Sequence, residues 1–283
     1  MMRTEDFELI SGLLKQRSGL VLPIDKVYLL ESRLTPIAHK RGLETLDDLV
    51  NEVRLKRKED LLTEITEAMT TNESFFFRDN KPFDLFKDTV MPQLMQSRSS
   101  KRKLRIWCAA ASTGQEPYSL AIILKEMEAK LPGWNIEIIG TDISQEGLDK
   151  AKVGLFSQFE VQRGLPIQLL IKYFNQVGDM WQISDEIKNM VSYRKFNLLD
   201  PFTLLGSFDV IFCRNVLIYF DQPTKTEVLE RMRKLIPDDG TLFLGAAETV
   251  LGITDKFKPV QGQRGLYSTS DASIDFIEKL KAS

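Results

Sequence analysis

LRIWCAAASTGQEPYSLAIILKEMEAK, residues 104–130, decides the fold. Its first seven residues, LRIWCAA, predict a strand buried in a sheet. Small residues follow, Ala109, Ala110, Ala111 and Ser112, and then PYSLAIILKEMEAK (117–130) reads as a helix.

The same alternation continues downstream. IEIIGTDIS (136–144) predicts a second strand and QEGLDKAK (145–152) a second helix. VSYRKFNLL (191–199), FDVIFCRNVLIYF (208–220) and TLFLGAAE (241–248) predict further strands. TKTEVLERMRKLI (224–236) lies between the last two as a helix ended by Pro237 and Gly240. Short apolar strands alternating with helices predict a parallel, doubly wound α/β sheet. Two regions depart from it: a hairpin insertion around 160–190, and FKPVQGQRGLYST (257–269), which predicts an antiparallel edge hairpin.

Upstream, residues to about 70 read as a small bundle of about four helices. Phe7, Ile10, Leu13 and Leu14 recur at helical spacing, as do Leu29, Leu30, Leu34 and Ile37. Thr45 with Asp47 and Asp48 predicts a capped helix start. The expected organisation is a helical domain over 1–75, a linker over 76–100, and a larger domain over 101–283. Arg33, Lys40 and Arg41, and then Arg54, Lys56, Arg57 and Lys58, form local basic patches that either steer an acidic partner or are solvated helix faces.

The chain has 283 residues, 43% of them hydrophobic, enough for one large core or two smaller ones. A net charge of -2 with 28% charged residues gives no basic excess for nucleic acid. Cys108 and Cys213 both lie in apolar runs and read as free buried thiols of a reducing compartment. The N-terminus lacks a signal-peptide core, and no apolar run reaches the ~18–20 residues of a membrane span, so a cytoplasmic location is expected.

Ligands of open α/β sheets bind beyond the carboxyl ends of the strands, where strand order reverses. AAASTGQEP (109–117) has the single glycine Gly114, and Glu116 would repel a pyrophosphate, which disfavours a nicotinamide cofactor. Glu116 suits a cationic or hydroxyl-bearing ligand, or caps the helix at Pro117. Asp142 stands where an acid accepts both ribose hydroxyls of an adenosine, unless it caps the next helix, a role open to Ser144. Asn197 would then face the adenine edge, or serve as a turn residue. Arg214 and Asn215 interrupt a very apolar run, and a guanidinium there needs a partner or a cavity. Tyr219 and Asp221 follow at the mouth. An adenosine ligand without a phosphate loop points to S-adenosylmethionine.

TTNESFFFRD (70–79), IWCAAASTGQEPYSLA (106–121), IIGTDIS (138–144), FNLLDPF (196–202), FDVIFCRNVLIYFD (208–221) and LFLGAAE (242–248) together resemble the CheR family of chemotaxis-receptor glutamate methyltransferases. The resemblance runs through nearly the whole chain. It implies a class I S-adenosylmethionine-dependent methyltransferase, a Rossmann-like doubly wound sheet with an antiparallel edge hairpin. An N-terminal all-α domain and a small β-subdomain inserted at about 160–190 complete the implied fold. The implied cofactor contacts are Asn72, Ser74, Arg78, Glu116, Asp142, Asn197, Leu198, Arg214 and Asn215. Position 74 is often threonine in the family, and serine keeps the hydroxyl.

The implied reaction methylates glutamate side chains on the cytoplasmic helices of chemoreceptors, with the receptor as partner and no metal. Some members dock a receptor C-terminal peptide on a glycine-rich loop of the β-subdomain. Here YFNQVGDMWQIS (173–184) has one glycine and is shorter, so independence from such a tether is expected. Two alternatives stay open: the same chemistry on a non-chemotaxis signalling protein, and a non-catalytic S-adenosylmethionine-binding adaptor.

A glutamate is already ionised near neutral pH, so no general base is needed, in keeping with a single histidine, His39. Arg78 is expected to clamp a carboxylate, of cofactor or substrate, with Tyr219 orienting. Three consecutive phenylalanines, Phe75 to Phe77, cannot share one helical stripe. Some are expected to pack between the two domains and others to wall the methyl end of the cofactor against water.

Overall fold

The computed structural model describes residues 2–269 of the chain, so the final residues of the expected 101–283 domain lie outside the described residues. Two compact units divide between Thr71 and Asn72, and Tyr219–Thr224 is counted with the first.

The first unit holds α1 (Thr4–Ser18), α2 (Val27–Lys40), α3 (Leu46–Lys56) and α4 (Glu59–Ala68). Ile10, Leu14, Leu30, Leu34, Leu49 and Ile65 are fully buried together. Thr45 and Asp48 form a reciprocal capping box at the start of α3. Asp6 is buried and accepts from Arg3 Nε at 2.7 Å and Arg54 Nη2 at 2.6 Å, which holds its carboxyl below the usual range. Arg33, Lys40, Arg41, Arg54, Lys56 and Lys58 of the basic patches are engaged within the unit. Arg33 donates to the carbonyls of Met69 and Thr70, both at 2.8 Å, closing the end of α4. Lys40 and Arg41 each pair with Glu64 at 2.7 Å, and Lys56 and Lys58 lie 3.2 and 3.7 Å from Glu52.

The second unit begins at Asn72, and residues 76–100, expected as a linker, carry helices that pack into its core. α5 (Lys81–Leu85) and α6 (Met91–Ser97) run on through a π turn at Phe86–Val90. Phe83, Phe86, Val90, Met91 and Leu94 recur at helical spacing and enter the unit's core. There follow β1 (Lys103–Ala109), α7 (Gln115–Glu126), β2 (Asn135–Asp142), α8 (Gln145–Val153), β3 (Leu155–Ser157), α9 (Gln158–Gln162) and α10 (Ile167–Tyr173). Next come β4 (Phe174–Val177), β5 (Met180–Ile183), α11 (Asp185–Lys188), β6 (Val191–Lys195) and β7 (Val210–Cys213). The last elements are α12 (Gln222–Leu235), β8 (Thr241–Leu244), β9 (Lys258–Pro259) and β10 (Leu266–Ser268).

Seven strands form one sheet in the order β6-β2-β1-β7-β8-β10-β9. β1 pairs in parallel with both β2 and β7, so strand order reverses there, and β10 pairs antiparallel with β8 and β9 at the edge. The insertion is a separate antiparallel sheet, β3-β5-β4, that starts at Leu155. The run 208–220, expected as one strand, keeps only Val210–Cys213 in the sheet. Asn215 has a φ of 59°, which breaks the extended chain.

Candidate active site

The turn after β1 reverses the chain with three left-handed residues, Ala110 (φ 65°), Ser112 (φ 51°) and Gly114 (φ 96°). Small side chains limit the steric cost of that conformation, which explains the composition AAASTG. A Cβ on Gly114 would come within 2.7 Å of the Tyr193 hydroxyl and 2.9 Å of Ala151 Cβ, so helix α7 can pack this closely only with glycine.

Asp142, the last residue of β2, orders the neighbouring turns. Its Oδ2 accepts from the Ser112 amide at 2.8 Å and its Oδ1 from the Ser144 amide at 2.9 Å. Ser144 itself caps α8, its Oγ accepting from the Gly147 amide at 3.1 Å. The Ser112 hydroxyl donates to the Asn72 carbonyl at 3.0 Å, and Asn72 Nδ2 donates to Ser144 Oγ at 3.4 Å. Asn72 and Asp142, distant in sequence, therefore meet at the ends of β1 and β2.

Arg214 and Glu116 are each other's partner. Arg214 Nη1 donates to Glu116 Oε2 at 2.8 Å, and Nη2 donates to Asp79 Oδ2 at 2.7 Å and to the Arg78 carbonyl at 2.8 Å. The guanidinium is buried, with Phe83 beneath it at 5.6 Å. Burial pushes the Glu116 carboxyl above its ordinary value, and the Arg214 charge opposes that rise. Arg214 Nε is buried with no acceptor among the described residues. The partner expected for a guanidinium in this apolar run is thus present, and one of its donors remains to be satisfied.

Beyond β7 the chain wraps around Glu248, which did not stand out as a site residue in the sequence. Its Oε2 accepts from the amides of Asn215 and Gly245, both at 2.7 Å. Its Oε1 accepts from Val216 at 3.0 Å, Leu217 at 2.7 Å and Ile218 at 3.3 Å. The only sequence signal was an acid directly after the apolar run LFLGAA. Asn197 closes an Asx turn, its Oδ1 accepting from the Leu199 amide at 3.0 Å, and Leu198 is buried. The Phe196 amide donates to the Asp142 carbonyl at 2.9 Å, which fixes Asn197 next to the end of β2.

The stretch NESFFFRD belongs to the second unit. Phe76 is fully buried inside that unit, edge-on to Phe156 at 5.0 Å and Phe174 at 5.5 Å, both from the insertion. Phe77 packs edge-on to Phe83 at 5.4 Å, and Phe75 lies under Arg163 at 4.2 Å and Arg78 at 5.2 Å. The expectation that one of these rings packs between domains is corrected for Phe76 by its place in the second unit's own core. Arg78 Nη1 donates to the Glu73 carbonyl at 3.0 Å, and Ser74 is half-buried between these neighbours in sequence. Tyr219 is counted with the first unit, its carbonyl accepting from the Val21 amide at 2.9 Å. Two residues on, Asp221 pairs with Lys15 at 2.7 Å, which pulls its carboxyl down to about 2.

Cys108 and Cys213 are free and buried, and burial pushes both thiols up. Among the described residues no helix is long and apolar enough to cross a membrane.

Known proteins resemble this chain over most of its length. The CheR methyltransferase all-alpha domain matches residues 5–70, and the CheR methyltransferase SAM binding domain matches residues 72–266. Chemotaxis protein methyltransferase 1 of Vibrio cholerae is 40% identical, over 89% of this chain and 92% of that protein. The chemotaxis protein methyltransferase of Vibrio anguillarum is 39% identical, over 93% of this chain and 95% of that protein. Chemotaxis protein methyltransferase 1 of Pseudomonas aeruginosa is also 39% identical, over 92% of this chain and 96% of that protein. With its all-α unit, its class I sheet and the acid at the end of β2, the chain belongs to the CheR methyltransferase family.

Proposed function

We propose that the chain methylates glutamate side chains on the cytoplasmic helices of chemoreceptors, producing glutamyl methyl esters that serve adaptation in chemotaxis. The observation that carries this reading is the pair of groups at the reversal of strand order: Asp142, oriented by two amides, and Arg214, with a buried donor still to be satisfied.

These residues suit S-adenosylmethionine. Asp142 would accept from the ribose hydroxyls, and Asn197 and Leu198 would border the adenine. Arg214 Nε and Arg78 would take carboxylate charge, with Asn72, Ser74 and Asn215 around them. Glu116 adds a negative charge on the same side as Arg214. When bound, the cofactor supplies an electrophilic methyl group.

The protein's own part is alignment and exclusion of water. The accepting glutamate is ionised near neutral pH, so no side chain has to remove a proton. Arg78 neutralises a carboxylate beside the Phe75 ring, and Tyr219 orients the substrate.

Independence from a receptor tether is supported by the insertion's hairpin. β4 and β5 are joined by the two-residue turn Gly178–Asp179, with Gly178 at a φ of 60°, which leaves no extended glycine-rich loop. The receptor substrate places the reaction in the cytoplasm.

The test is tritiated methyl transfer from S-adenosylmethionine to receptor signalling domains, read as alkali-labile ester. Arg78→Ala should lower ester formation at least about a hundredfold; near-normal turnover refutes the role of Arg78. Calorimetric titration with C-terminal receptor peptides should show no binding, and micromolar affinity would overturn tether independence.

A further inference from the structure

The segment carrying Asn72, Ser74 and Arg78 is strained. Phe77, Asp79 and Asn80 have φ values of 51°, 69° and 47°, all left-handed and none of them glycine. For a bulky residue such as phenylalanine this conformation is costly and persists only where surrounding structure imposes it.

The strained residues are held by Ser119, Phe83 and Arg214, and the insertion holds the residues just before them. Gly164, at a φ of 87°, lies so close to the Phe76 carbonyl that any Cβ would overlap its oxygen. The adjacent Arg163 places its guanidinium 4.2 Å from the Phe75 ring centroid and pairs with the Glu73 carboxylate at 2.6 Å. Phe76 completes the contact between Phe156 and Phe174. Arg78 uses the same two residues: it lies 5.2 Å from the Phe75 ring and donates to the Glu73 carbonyl.

We infer that the inserted subdomain braces the segment 72–79, and that Arg163 is a positioning residue for methyl transfer, acting on Arg78 through Phe75 and Glu73. Gly164 sets the register of Arg163 against the segment. Arg163 then holds the ring and the residue to which Arg78 is attached. The insertion is thereby part of the catalytic architecture. This inference rests on the proposed role of Arg78.

The test compares Arg163→Ala and Arg163→Lys in the full chain. Hydrogen exchange should quicken at amides 73–79 by at least about tenfold in Arg163→Ala, while β1 stays protected. In the ester assay kcat should fall about tenfold, with the KM for receptor changed less than about twofold. Lysine should recover part of the loss, because its ammonium keeps the Glu73 pair and lacks the planar stack. Unchanged exchange overturns the brace. A rise in receptor KM at constant kcat overturns the positioning role and makes Arg163 a receptor contact. If the wild-type protein forms no methyl ester, the proposed function fails, and the exchange measurement still decides the brace.

Discussion

Two carboxylates shape the carboxyl edge of the sheet on either side of its reversal, and they do so differently. Asp142 ends β2 and takes one amide on each oxygen, from the turn after β1 and the turn after β2. Glu248 lies past the end of β8 and takes five amides, four from the consecutive residues Asn215–Ile218 and one from Gly245. A loop that closes its amides around one acid is a nest filled by the protein itself. Asp142 lies at a strand end beside the reversal of strand order, the place where open α/β sheets take their ligands. The difference separates an acid that builds a loop from an acid proposed to meet a ligand as well.

The largest effect expected is from Glu248→Gln. The side-chain amide would turn a donor toward backbone donors and remove the charge, costing about 3–5 kcal/mol of stability. Urea unfolding measures it, and binding of S-adenosylhomocysteine should be lost along with the loop that presents Arg214 and Asn215. A variant as stable as the wild type would remove the distinction between the two acids.

Asp142→Asn should act in the opposite sense. Its affinity for S-adenosylhomocysteine should fall by about 2–3 kcal/mol in calorimetry, while stability drops only about 1 kcal/mol, because asparagine keeps one acceptor oxygen. A stability loss equal to that of Glu248→Gln would make Asp142 a second scaffold acid.

Asp6 supplies the smallest and sharpest contrast, because arginines rather than amides hold it. Its carboxyl is depressed in the folded protein, so its stabilisation is present above the ordinary carboxylate value of about 4 and is lost as pH falls through that range and below. Asp6→Asn should cost about 1–2 kcal/mol at pH 7, with Arg3 and Arg54 partly exposed to water, and the gap to wild type should close toward pH 3. Unfolding at the two pH values checks it, and cofactor-analogue affinity should not change.

The alternation of strands and helices was legible because parallel strands buried on both faces read as unbroken apolar runs. Asp142 was legible because its place at a strand end follows from that pattern. Glu248 was not, since its partners are backbone amides, which carry no residue signature. Arg163 was hidden for a related reason: its partners are a ring and a carboxylate about 90 residues upstream. The segment 76–100 read as a connector because its polar end at Arg98 to Lys103 drew attention from the apolar face of α5 and α6.

By itself the sequence determined the fold class, the helical first unit, and the residue types gathered at the strand ends. Propensity and hydrophobic period act over a few residues, and they are written locally. Only the tertiary structure decided which charges face one another. Arg214 is engaged by Glu116 and Asp79, and Arg54 by Asp6, through pairings that span 98, 135 and 48 positions of chain. Electrostatic and ring contacts depend on separation in space, which the order of residues along the chain does not contain.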